Sequence, residues 1–273
     1  MNTSDFAQTD NSLILGEARR DHYRLSAGTV DMTRPATTPC RAAIAAQPQN
    51  ICVDLHKCAL IIVDMQNDFC SEGGWFASLG VDLGGVRKLY QPINATTAAL
   101  RQRGVPILWV NWGVRGDKAN LSPATRYPFN RVGCGVGLAD ARARKQSAEK
   151  AEPGGVLQRG TWGAAVVDEL ATGPGDIFVD KHRISGFWDT PLDSILRTLS
   201  VKTLFFAGIN ADHCVLATLM DASFQGYDTI LIEDCTATSS PEFCMLATLH
   251  NVRFCFGFTV RYEDVIAAMA QAK

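Results

Sequence analysis

The chain has 273 residues, 47% hydrophobic and 20% charged, enough to bury one large core. With 26 Lys and Arg against 28 Asp and Glu, its formal charge of −2 offers no basic field for nucleic acid. No apolar run approaches the ~18–20 residues that cross a bilayer, and acids stand where a secretion signal needs a basic start, so a cytoplasmic protein with a small-molecule partner is expected.

Residues 1 to about 50 show no sustained period and are expected to form an extended arm, on the body or on a neighbouring subunit, or to be disordered. The domain proper is expected over 51–273. Its first element is CALIIVD (58–64), an apolar run of strand length that ends in a carboxylate. A helix is predicted over 84–103, stopped by Gly104, and then a second buried strand, PILWVNW (106–112). The stretch 113–160, rich in Gly, Pro, Arg and Ala, is long for a connection and is read as a lid or an interface element. A helix over WGAAVVDEL (162–170) precedes the strand DIFVDK (176–181), and a helix over 190–199 precedes KTLFFAG (202–208). Helices near 213–226 and 240–250 flank the strand DTILIED (228–234), and VRFCFGF (252–258) reads as a sixth strand before a last helix over 262–272. Apolar strands alternating with helices require a mainly parallel sheet covered on both faces, so the expected fold is a three-layer α/β/α, doubly wound sheet of six strands.

Nine cysteines make an odd count without a C-x-x-C pair, which argues against a disulfide framework or a zinc ribbon. Most read as small buried hydrophobes. Cys214 differs, because INADHC carries it from the fourth strand into the first turn of a helix. A helix N-terminus stabilises thiolate and supplies N–H groups for an oxyanion, although a buried cap cysteine fits that position as well.

In open α/β sheets ligands bind beyond the carboxyl ends of the strands, which puts Asp64 and Lys181 on the same rim as Cys214. Asp64 could take the thiol proton, or tie down N–H groups of the DMQNDF turn. Lys181 could balance the charge, or be a snorkelling strand end. Acid, amine and thiol together suit acyl transfer through a thioester. A dinucleotide-binding reading fails, because no G-x-G-x-x-G follows the first strand.

At these residues the chain resembles the isochorismatase-like cysteine hydrolases. The matching segments are ALIIVDMQNDF (59–69), IFVDKHRISGFWDTPLDSIL (177–196) and FAGINADHCVLATLMDASFQGYDTILIEDCTA (206–237). The resemblance implies a triad of Asp64, Lys181 and Cys214, with an oxyanion hole from the backbone N–H of Asn210, just after a cis peptide, and that of Cys214. It implies hydrolysis of a small amide. RGTWGAAVVDEL (159–170) and the segment after it resemble the members that cleave ureidoacrylate and other ureido or carbamoyl amides, of biuret or triuret type. Maleamate, carbamoylsarcosine and a catalytically idle binding homologue remain alternatives.

Three departures from the family pattern stand out. Ala211 replaces a Thr common in the cis-peptide loop. Asn210 sets a side-chain amide beside the oxyanion hole, suited to a carbonyl-rich substrate. No Asp-x-His pair follows the second strand, so neither a metal nor another cofactor is expected, and Asp68 alone cannot form a zinc site. Substrate contacts are expected from Asn111, Trp112 and Arg115, with Arg115 placed to meet a carboxylate, and from walls formed by Phe69 and Trp75. Phe187 or Trp188 would close the site, unless Trp112 and Trp188 are subunit-interface aromatics. His182 and His213 flank the lysine and the cysteine. Apolar, aromatic segments such as FCFGF suggest a homo-oligomer, a dimer or a tetramer.

Overall fold

The computed structural model describes residues 13–34, 37–129, 135–137 and 155–273. Residues 130–134 and 138–154 of the expected 113–160 lid therefore lie outside the described residues. Three short strands come first, β1 (Leu13–Glu17), β2 (Asp21–Ser26) and β3 (Thr29–Asp31), joined as an antiparallel sheet. Arg20, in the turn between β1 and β2, donates to the carbonyls of Cys58, Gly104 and Leu199, which ties this sheet to the body. A hairpin follows, β4 (Arg41–Ile44) with β5 (Ile51–Asp54). Ala42 and Ile44 on β4 are buried in the main core, so a boundary at residue 50 falls inside the hairpin, and 41–50 belong to the body. Their alternating exposed and buried pattern covers only four residues, too short to register as a period.

The central sheet has six strands: β6 (Cys58–Val63), β7 (Ile107–Trp112), β8 (Ile177–Lys181), β9 (Thr203–Gly208), β10 (Asp228–Thr236) and β11 (Gly257–Val260). Their spatial order is β11-β10-β9-β6-β7-β8, and every pairing is parallel. β6, β7 and β9 are buried at every position, as strands covered on both faces must be. Among the described residues, the helices longer than one turn are α1 (Tyr90–Gln102), α2 (Leu192–Thr198), α3 (Leu216–Phe224), α4 (Glu242–Asn251) and α5 (Tyr262–Gln271). Right-handed crossovers send α1 over one face and α2, α3 and α4 over the other. α5 returns to pack against α1 and β4.

One expected helix is absent and one expected strand is displaced along the chain. Residues 162–170 form only a single turn at Trp162–Ala164, because the carbonyls a helix would use internally serve other groups. Gln66 Nε2 donates to the Ala164 carbonyl, Asn67 Nδ2 to that of Trp162, and the Asn67 N–H to that of Ala165. Residues 252–256 continue α4 as a wide turn, and strand begins only at Gly257. A short apolar run reads alike as buried strand or as helix, which is why periodicity misassigned it. Phe254 in that turn is exposed, as are Phe243 and Leu246 on α4. Among the described residues, no helix is long and apolar enough to cross a membrane.

The chain leaves β6 toward β7 and β8, then crosses back so that β9 lies on the other side of β6. The β6/β9 seam is therefore the switch point of the sheet, where a crevice opens beyond the strand ends. Gly208 closes β9 at φ +104°, so tight against β6 that an added Cβ would lie 2.1 Å from the Val63 carbonyl oxygen.

Candidate active site

Asp64 follows the last residue of β6 in a left-handed conformation, φ +55°, which turns the chain off the strand. Its carboxylate is held from two sides. Oδ1 accepts from the backbone N–H of Trp112 at 3.1 Å, and Oδ2 lies 2.9 Å from Lys181 Nζ. Lys181 ends β8, two strands away from β6, so its side chain must span β7 to arrive. It does so across the indole of Trp112, with Nζ 4.3 Å from the ring centroid. The same ammonium donates to the Arg183 carbonyl at 3.2 Å. Asp64 and Lys181 are both essentially closed to solvent, so each charge depends on the other.

Cys214 arrives from β9. The Ile209–Asn210 peptide is cis, and residues 211–215 form a wide turn that leads into α3. The N–H groups of His213 and Val215 both close onto the Asn210 carbonyl. Thr218 Oγ1 accepts from the Gly186 N–H and donates to the Cys214 carbonyl at 2.6 Å, which pins the turn to the segment after β8. The thiol lies within electrostatic reach of both the Asp64 carboxylate and the Lys181 ammonium. Three side chains from the ends of β6, β8 and β9 thus meet at one point.

Burial sets the protonation of this group. It pushes the Asp64 carboxyl up, opposed first by the Lys181 charge and then by hydrogen bonds from Cys214, Lys181 and Trp112. It pushes the Cys214 thiol up to about 12, with Lys181 opposing and the Asp64 charge adding to the rise. Burial thus favours the thiol form of the ligand-free cysteine.

Asp64 and Cys214 border a cavity of about 140 Å³ whose walls are mostly apolar, with Phe69, Trp75, Trp112 and Phe129 among them. Asn210, His213 and Ser239 add polar groups to its lining. A groove of about 810 Å³ adjoins it, with Phe129, Ile184 and His213 common to both. Phe69, Trp75 and Trp112 thus stand where the sequence places them, and Asn111, Arg115, Phe187 and Trp188 do not. Asn111 points away from the cysteine, into a separate depression lined by residues 164–168. Strand alternation explains this, since Trp112 beside it faces the site. Arg115 is exposed and bonded bidentately to Asp117. Phe187 packs against Tyr227 at 6.0 Å, and Trp188 is exposed; neither lines the cavity. His182 faces Asp189.

Sequence reasoning missed Phe76, Phe129, Ile184 and Ser239 in the lining, of which only Ile184 lies in a quoted motif, the 177–196 segment. It also missed Gln66, whose amide bridges the Trp112 backbone and the Ala164 carbonyl, although the residue lies in the quoted DMQNDF turn. Asp68 is occupied structurally, accepting from the Leu157 and Trp75 N–H groups. Among the described residues, no cluster of three His, Cys, Asp or Glu side chains is arranged to hold a metal ion.

A family model described as Isochorismatase domain matches residues 58–264. Curated relatives include ureidoacrylate amidohydrolase RutB of Rhizobium rhizogenes, 33% identical over 230 residues, which are 84% of this chain and 90% of the relative. The protein of the same name from Klebsiella pneumoniae is 34% identical over 231 residues, covering 84% and 94%. Among solved structures, N-carbamoylsarcosine amidase from Thermoplasma acidophilum aligns with a TM-score of 0.53 at 26% identity, over 76% of this chain and 97% of that one. A cysteine hydrolase from Pseudomonas syringae pv. phaseolicola shares the fold, with a TM-score of 0.64 at 23% identity over 87% and 99%. The sheet order, the strand-end site and these matches lead to one assignment: the chain belongs to the isochorismatase-domain family and is a hydrolase.

Proposed function

We propose that the protein is a cysteine amidohydrolase that cleaves a linear C–N bond in a small ureido or carbamoyl amide through a thioester. The observation that carries this reading is the meeting of Cys214, Asp64 and Lys181 at the edge of a small, mostly apolar cavity, with the Asp64 and Lys181 side chains themselves closed to solvent. Asp64, with its carboxyl raised by burial, is a better match for a thiol proton than an ordinary carboxylate. As substrate displaces water, Asp64 takes that proton and the sulfur attacks the carbonyl carbon. The oxyanion then rests on the backbone N–H groups of Asn210 and Cys214. Among the described residues, no carbonyl accepts from the Asn210 N–H.

Collapse of the tetrahedral adduct breaks the C–N bond, and Asp64 returns its proton to the leaving nitrogen. Water then enters, gives a proton to the same carboxylate, and attacks the thioester carbon. The acid product leaves, and the sulfur recovers its proton from Asp64. Lys181, 2.9 Å away, balances the Asp64 charge between proton transfers. The kinship with ureidoacrylate amidohydrolases and the likeness to a carbamoylsarcosine amidase support a ureido or carbamoyl substrate.

The test is an ammonia-release screen over ureidoacrylate, biuret, triuret, maleamate, carbamoylsarcosine and nicotinamide, with Cys214→Ala as control. Turnover of a ureido or carbamoyl compound that vanishes in Cys214→Ala is the expected result. Turnover of nicotinamide alone, or activity that survives in Cys214→Ala, refutes the reading.

A further inference from the structure

We infer that the Asn210 side chain selects substrates with a second, uncharged carbonyl oxygen beside the scissile one, as in an acylurea or biuret, over substrates bearing a carboxylate there. The inference rests on the amidohydrolase reading and narrows its substrate class.

Asn210 is only 8% exposed and lines the cavity that holds Cys214. Its Oδ1 accepts from the Ser239 N–H at 2.9 Å and from the Ser239 hydroxyl at 3.3 Å. A backbone N–H can only donate, so Oδ1 must face Ser239, and the carboxamide cannot be turned the other way. That leaves Nδ2 as the free end. Among the described residues no group accepts from it, so a donor fixed in direction stands beside the nucleophile without a partner.

Among the described residues, the nearby cations are already engaged. Lys181 is paired with Asp64. Arg183 lines the adjoining groove but is paired with Asp189 and donates to the carbonyls of Asn120 and His182. His213, at the junction of cavity and groove, faces Asp212. The described lining of the cavity contains no arginine or lysine, and Asp64 already brings a negative charge to it. A substrate carboxylate would lie there desolvated and without a counter-ion, whereas a carbonyl oxygen would complete the Asn210 amide. Ureidoacrylate carries such a carboxylate, so this chain is expected to differ in preference from the relatives that bear that name.

Three probes separate the cases: biuret has the second carbonyl, N-propylurea has neither group, and 3-ureidopropionate has a carboxylate. The expected order of kcat/KM is biuret, then N-propylurea, then 3-ureidopropionate. In Asn210→Ala the biuret-to-propylurea ratio falls by roughly ten-fold, about what the loss of one directed hydrogen bond costs. Asn210→Asp keeps the acceptor for Ser239 but replaces the donor with a charge, so the ratio falls at least as far even if the alanine variant folds poorly. An unchanged ratio in Asn210→Asp, or a preference for 3-ureidopropionate, overturns the inference. Calorimetry on Cys214→Ala reads binding apart from chemistry. Biuret that binds without being turned over by the native protein refutes the hydrolytic reading and leaves this one standing, whereas absence of biuret binding refutes this one.

Discussion

Replacing Lys181 with methionine tests the electrostatic core of the site. The Lys181 and Asp64 side chains are 0% and 2% exposed, and their charged atoms lie 2.9 Å apart. At an effective dielectric near 20, unit charges at that distance attract by about 6 kcal/mol. Burying the two ions costs a comparable amount, so the pair is near balance, and removing one partner exposes the cost of the other at about 3–5 kcal/mol. For a chain of this length each kcal/mol shifts the melting temperature by about 2 °C, so Lys181→Met should melt about 6–10 °C below the native protein at pH 8. The deficit has a definite sign with pH. Without Lys181 the Asp64 carboxyl loses its main opposing influence and rises further above the unfolded value of about 3.9. A raised folded pKa means stability that is present below the unfolded pKa and lost as pH rises through the folded one. The deficit therefore shrinks as pH falls toward 4 and grows toward 8. Adding Asp64→Asn removes the stranded carboxylate but leaves an amide oxygen for the Trp112 N–H, so the double variant should recover most of the loss while staying inactive. Thermal melts followed by circular dichroism at pH 5 and pH 8 make the comparison. If the single variant melts with the native protein at both pH values, or the double variant is no more stable than the single, the coupling argued here is wrong.

Other outcomes follow from the same geometry. Cys214→Ser keeps the shape of the turn and should leave the melting temperature within about 2 °C while abolishing steady-state turnover. Turnover should fall as pH drops through the raised Asp64 pKa, so a pH–rate profile places the acid limb above the ordinary carboxylate range. With the Cys214 thiol pushed up to about 12, iodoacetamide at pH 7.5 should modify the exposed Cys52 and Cys255 first, as peptide mapping of a time course would reveal. Arg115→Ala, at an exposed ion pair away from the cavity, should leave kcat/KM within about two-fold.

How far the sequence could be read depended on what each residue's role rests on. The strands β6, β7 and β9 are continuous apolar runs, and strand ends in an open sheet share a rim, so Asp64, Lys181 and Cys214 could be grouped before any coordinates. The Lys181 path across Trp112 could not, because it depends on β8 lying two strands from β6, and strand order is not written in a pattern of polar and apolar residues. Substrate-facing residues were less legible for a related reason. Asn111 and Trp112 are neighbours at one strand end, and only the pleat decides which of them meets the cysteine. Phe129 reaches the cavity from a connection without a period, and Ser239 does so from the loop after β10. The 252–258 segment failed differently: its apolar run is real, but Phe254 faces solvent and the chain is still helical there.

The contact of Gly208 with the Val63 carbonyl has a bearing on redesign. It lies one residue before Asp64 on one strand and at the root of the Cys214 turn on the other. Main chain resting on main chain therefore sets the spacing of acid and nucleophile, independently of the rings that wall the cavity. Exchanging those rings to suit a bulkier or slimmer compound leaves the reacting pair in register, whereas any side chain at 208 would pry the two strands apart and take the pair with them.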